Sequence, residues 1–135
     1  MNYFCNSIST LFLALLCATS AWAYDREVSI NTGNVTVPGG EHWLVTGTYE
    51  TMSYYITLED KATVTLSNVK IDTDHNGLGS CIRCNGSATI YLAEGTVNTL
   101  KADLGSSALE AGPEGSTLTI WGASTGTLIA TTVTT

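Results

Sequence analysis

Asp72-Thr-Asp74-His-Asn76-Gly77 is the run whose residue types and spacing most directly suggest chemistry. Oxygen-bearing side chains at alternate positions converge on one cation, and the glycine that follows permits the sharp turn of a Ca²⁺ loop. The twelfth position of such a loop supplies a bidentate Glu; here it is Arg83, and no helical pattern flanks the run, which excludes an EF-hand. Two readings stay open: a simpler calcium turn built on Asp72, Asp74 and Asn76 with help from Asp60 or Asp103, or an ordinary Asn-Gly corner with solvated aspartates. Aromatic residues suggest a second chemistry, because a flat ring meets the apolar face of a pyranose while nearby polar groups fix its orientation. Tyr54, Tyr55, Tyr91 and Trp121 are the candidates for carbohydrate contact. Tyr91 leads them, since alternation puts it in an outward column between Thr65 and Thr119; the other use of each ring is packing against a neighbouring strand.

Catalysis has one candidate arrangement, Arg83 as a base beside Asp72 and Asp74, with Ca²⁺ acidifying the proton next to a uronate carboxyl. A lyase must hold a polyanion, and 5 Lys plus Arg against 12 Asp plus Glu equip the chain poorly for that, so no enzyme is expected. The same balance, a formal net charge of −7 with no basic patch, disfavours nucleic acid and anionic membrane surfaces as partners. Cys81 and Cys84 form a C-x-x-C without the helix N-terminus of a redox pair or the second ligand pair of a zinc site. Alternation turns Cys84 inward and Cys81 outward, which favours Cys84 as a small core residue over a local disulfide across a turn.

Elements must hold these groups in place, and the sequence writes them as repeats. The segments starting at Tyr55, Cys81 and Ala108 each give an alternating apolar pair, a turn, then a Thr-rich strand. Ile56 maps to Ile82 and Leu109, Val64 to Ile90 and Leu118, and Leu66 to Leu92 and Ile120, a period of roughly 26 to 28 residues. Thr63, Thr89 and Thr117 then share one outward column, and Thr65, Tyr91 and Thr119 the next. A single repeat cannot bury its own apolar face, so the pattern predicts an all-β solenoid of about four stacked coils in the chain after residue 23, with the regular coils over residues 55–135. Residues 24–54 alternate less regularly and read as an N-terminal cap and first coil, with Trp43 and Tyr49 plugging the end. Residues 1–23 read as a signal peptide, with an apolar stretch from Ile8 to Ala18 and an Ala21-Trp22-Ala23 cleavage site; the mature chain is then expected to be secreted, without membrane insertion. The strand-like run from Thr127 to Thr135 has no polar cap, so further coils or another domain are expected to pack end to end against it.

Several runs carry a family likeness: Leu44-Val-Thr-Gly-Thr-Tyr49, Val64-Thr-Leu-Ser-Asn-Val-Lys-Ile71, Ala88-Thr-Ile-Tyr-Leu-Ala-Glu-Gly-Thr-Val-Asn-Thr-Leu100, Ala108-Leu109 and Ser116-Thr-Leu-Thr-Ile-Trp-Gly122. In these the chain resembles the bacterial carbohydrate-binding β-helix family. The resemblance implies a right-handed parallel β-helix shaped like a pectate lyase, secreted or held at the cell surface, binding polysaccharide with calcium. The expected function is therefore non-catalytic polysaccharide binding, and its rival is a structural or adhesive solenoid segment of a larger surface protein.

Overall fold

Alternating aliphatic and hydroxyl residues fold into parallel sheets in the computed structural model, which describes residues 23–50, 55–73, 79–103 and 105–133. The expected signal segment up to residue 22, together with Tyr54, Asp74 and Asn76, lies outside the described residues. The strands are β1 (Arg26–Ser29), β2 (Val35–Val37), β3 (His42–Tyr49), β4 (Ile56–Leu58), β5 (Ala62–Asp72), β6 (Ile82–Cys84), β7 (Ala88–Leu92), β8 (Val97–Ala102), β9 (Leu109–Glu110), β10 (Leu118–Gly122) and β11 (Thr127–Thr132). A single 3-10 turn, Ile30–Thr32, is the helical element among the described residues.

One sheet has the order β1-β3-β5-β7-β10, with β8 pairing both β5 and β11; the other has the order β2-β4-β6-β9. Each pairing is parallel. Parallel neighbours need a crossover between them. Here the crossover from β1 to β3, from β3 to β5 and from β5 to β7 is itself a strand of the second sheet, which is why no helix is needed. The turns that link the sheets recur: amide-to-carbonyl bonds close Pro38 to Glu41, Glu59 to Ala62, Ala93 to Thr96, Asp103 to Ser106 and Pro113 to Ser116. Each of these places its third residue at positive φ, and that residue is Gly40, Lys61, Gly95, Gly105 or Gly115. Glycine adopts this conformation without a Cβ clash, so Lys61 is the strained member of the set.

Inward side chains from both sheets meet in one core. Ile30, Val45, Ile56, Leu58, Val64, Leu66, Val69, Ile71, Ile82, Ile90 and Leu100 have no solvent exposure. Burying an aliphatic side chain of this size contributes about 2 kcal/mol, and continuity along the stack is what makes the fold hold. The expected columns of Ile56 with Ile82 and Leu109, and of Val64 with Ile90, are present in the pairing. The third repeat is displaced by two residues from its expected alignment: Ile120, not Leu118, pairs with Ile90, and Gly122, not Ile120, pairs with Leu92. Sliding by two keeps every side chain on its own face, so alternation does not detect it. Ile120 was expected in the core and is 42% exposed, while Leu109 and Leu118 are only partly buried. These residues sit on β9 and β10, the outermost strands of their rows among the described residues, so they are covered from one side.

Candidate functional site

The two-residue displacement reshapes the outer face of the larger sheet. Thr119, not Thr117, pairs with Thr89, and Trp121, not Thr119, pairs with Tyr91. The outward columns are therefore His42, Thr63, Thr89, Thr119 and, beside it, Leu44, Thr65, Tyr91, Trp121. Tyr91 and Trp121 meet edge to face, with ring centroids 4.7 Å apart and planes at 76°. That geometry suits the ring quadrupoles and fixes both rings against each other. Trp121 stays 46% exposed and Tyr91 is half-buried.

Across the strands the column closes quickly. Thr65 is buried, and His42 Nε2 lies 2.6 Å from its Oγ1. Tyr24 packs edge-on against the His42 ring at 4.8 Å. Desolvation lowers the His42 pKa despite the opposing charge of Asp25. Along the strands the face stays open: Lys61, Ser87, Thr89, Thr117 and Thr119 line a groove of about 170 Å³ with Ala62 and Ala88. The outward side chains of this face on β5 before its corner, and on β7 and β10, are Thr63, Thr65, Ser67, Thr89, Tyr91, Thr119 and Trp121, none of them charged.

Other predicted site residues are placed elsewhere. Tyr55 precedes β4, in the second sheet, and its ring lies under the Arg83 guanidinium at 5.8 Å; it does not join Tyr91 and Trp121. Arg83, the candidate base beside Asp72, bonds through Nε to Glu110 Oε1 at 3.1 Å. The reason is register: Arg83 and Glu110 are paired neighbours on β6 and β9. A hydrogen bond from Ser80 and the Arg83 contact hold the Glu110 carboxyl below its ordinary pKa. Asp72 ends β5 with its Oδ2 3.7 Å from Lys101 Nζ. Asp60, expected as a helper, accepts the Ser87 amide and pairs with Lys61. Among the described residues no group of three His, Cys, Asp or Glu side chains is placed to hold a metal, and Asp72 with its lysine partner does not by itself make a calcium site.

Cys81 and Cys84 are both buried free thiols. Cys84 points inward as expected, but Cys81 does too: it sits ahead of β6, where strand alternation does not apply, and its Sγ lies 3.3 Å from the Lys101 carbonyl oxygen. Burial pushes both thiols up to about 11. Sequence reasoning also missed the His42–Thr65 contact and the pairing of the two rings. Both rings close a Thr-Ile-aromatic run, Thr89-Ile90-Tyr91 and Thr119-Ile120-Trp121, but the alternation alone fits a register two residues away equally well.

The fold and this face define an all-β protein of parallel sheets that presents an aromatic pair among hydroxyls. No family model, curated protein or solved structure matches the chain. Among the described residues no helix is long and apolar enough to cross a membrane.

Proposed function

We propose that this chain is a secreted, right-handed parallel β-solenoid that binds polysaccharide without cleaving it. The observation that carries the reading is the Tyr91–Trp121 pair, an exposed indole held at a fixed angle by its neighbour on a hydroxyl-rich face. An aromatic platform loses its stacking surface when truncated, so Trp121→Ala should weaken binding by about 1 kcal/mol or more. Affinity electrophoresis of the wild type and the variant through gels cast with polysaccharides tests this. Equal retardation of the two proteins, or none for either, would remove the proposal.

Calcium enters the reading as a ligand of Asp72 with Asp74 and Asn76. A cation bound only by the folded form raises the melting temperature through linkage, and Asp74→Ala would abolish the difference between calcium and chelator. Superimposable melting curves in calcium and in chelator would take the metal out of the account.

A second reading, a structural or adhesive segment of a larger surface assembly, is favoured by the exposed apolar side chains of the β10 and β11 rows. Ile120, Trp121 and Ile129 are each more than 40% exposed. If the chain associates through these strands and binds no glycan, this reading is the better one.

A further inference from the structure

We infer that the ligand of the Tyr91–Trp121 face is a neutral glycan whose chain runs along the strands, one unit against the rings and the next in the hydroxyl groove beside them. This rests on the carbohydrate reading above and deepens it. Two rows of side chains lie side by side: Ser87, just before β7, with Thr89 and Tyr91 on it, and Thr117, just before β10, with Thr119 and Trp121 on it. Thr119 pairs with Thr89 and Trp121 with Tyr91, and the Thr117 amide donates to Ser87 Oγ at 3.0 Å. Both rows therefore run from hydroxyl to hydroxyl to aromatic ring in the same direction.

The groove and the rings are parts of one track. Thr89 and Thr119, which line the groove of about 170 Å³, stand two residues before Tyr91 and Trp121 on the same strands. Two residues of strand span about 7 Å, so a polymer chain leaving the rings along the strands enters the groove. A path across the strands is shut instead, because the next residue in the ring column, Thr65, is buried and in contact with His42.

Charge selects the class of glycan. The face between the groove and the rings carries no ionised side chain, and the groove's one cation, Lys61, already has Asp60 Oδ2 at 3.7 Å. A uronic polymer would bring carboxylates to a protein of net charge −7 with only Lys61, already beside Asp60, to neutralise them. Threonine hydroxyls, which both donate and accept, match the hydroxyls of a neutral sugar.

The test is calorimetric titration of the full chain with length series of neutral cello-, xylo- and manno-oligosaccharides, and with oligogalacturonides for comparison. Affinity for a neutral series should rise with length beyond the disaccharide. In Thr89→Val/Thr119→Val, which keeps β-branched shape but removes the groove hydroxyls, the gain with length should fall by about tenfold while disaccharide affinity is kept. Trp121→Ala should lose affinity at every length. Circular dichroism melting confirms that the variants fold. A wild type whose affinity does not depend on length, or a double variant that keeps the full length gain, would overturn the track while leaving carbohydrate binding intact. Oligogalacturonides binding as tightly as the neutral series would overturn the charge argument. Absence of binding to every series would overturn the carbohydrate reading and this inference with it.

Discussion

Asn98 has no exposed surface, yet each polar atom of its side chain is satisfied. Its Oδ1 accepts the Val69 amide at 2.9 Å, and its Nδ2 donates to Thr96 Oγ1 at 3.1 Å and to the Thr127 carbonyl at 3.2 Å. One residue thus ties together the corner of β5, the start of β8 and the start of β11. Truncating it leaves a buried amide and a carbonyl without partners, so Asn98→Ala should cost about 2–3 kcal/mol in urea unfolding. A variant within a few tenths of wild type would show that water replaces the side chain. The thiols act in the opposite sense. Both Cys81 and Cys84 have folded pKa values raised from 9.0 to about 11, so between these values the unfolded chain has released protons that the folded one retains. Stability should therefore fall as pH rises through this window, and the Cys81→Ala/Cys84→Ala double variant should show a flatter profile over it. An identical slope in both proteins would mean that other groups control the alkaline limb. The inward position of Cys84 was legible from alternation, whereas that of Cys81 was not, because a corner residue obeys no strand period.

At the scale of elements, the recurring turn has the most consequence. Five four-residue turns put their third position at positive φ; four fill it with glycine and one with Lys61 at φ 70°. A Cβ in that region is strained, and glycine relieves the strain while adding freedom to the unfolded chain. Lys61→Gly should thus stabilise by up to about 1 kcal/mol, read as a higher urea midpoint with an unchanged slope. A lower midpoint would mean that the exposed Lys61–Asp60 pair outweighs the strain, against the small contribution expected of surface pairs. Strands, their parallel stacking and most inward columns were legible in the sequence because period-two alternation and a repeat of fixed length are both written in residue types. The β7–β10 register was not. In Thr117-Leu-Thr-Ile-Trp121 the apolar positions recur every second residue, so two alignments two residues apart satisfy the same burial pattern. What separates them is contact across the sheet, Tyr91 with Trp121 in place of Thr119, and a linear pattern does not encode that choice.

The whole molecule is asymmetric from one end of its strand rows to the other. At the β1–β2 end the core is closed: Ile30 and Val37 have no exposure and Val35 has 5%. Arg26 lies over the Trp43 ring at 5.0 Å and adds a charged cover there. At the β9, β10 and β11 end the inward residues Leu109, Leu118, Ile120 and Leu128 are only partly covered, and Ile129 projects outward at 45% exposure. Residues 117–133 also contain no Lys, Arg, Asp or Glu, although the chain as a whole has a net charge of −7. Exposed strand edges are normally protected from pairing by charges or proline, and along β10 and β11 this edge has neither. Burying it would bring both hydrogen-bonding groups and apolar area out of water at once, so the edge is the most favourable place for association. The protein should therefore associate with rising concentration in sedimentation velocity. Ile120→Lys puts a charge at the centre of that end, where solvent already reaches the side chain, and should weaken association by about tenfold or more, with circular dichroism melting to show that the variant still folds. A protein that stays monomeric throughout, or an Ile120→Lys variant that associates as wild type does, would show that the open end is not the adhesive surface.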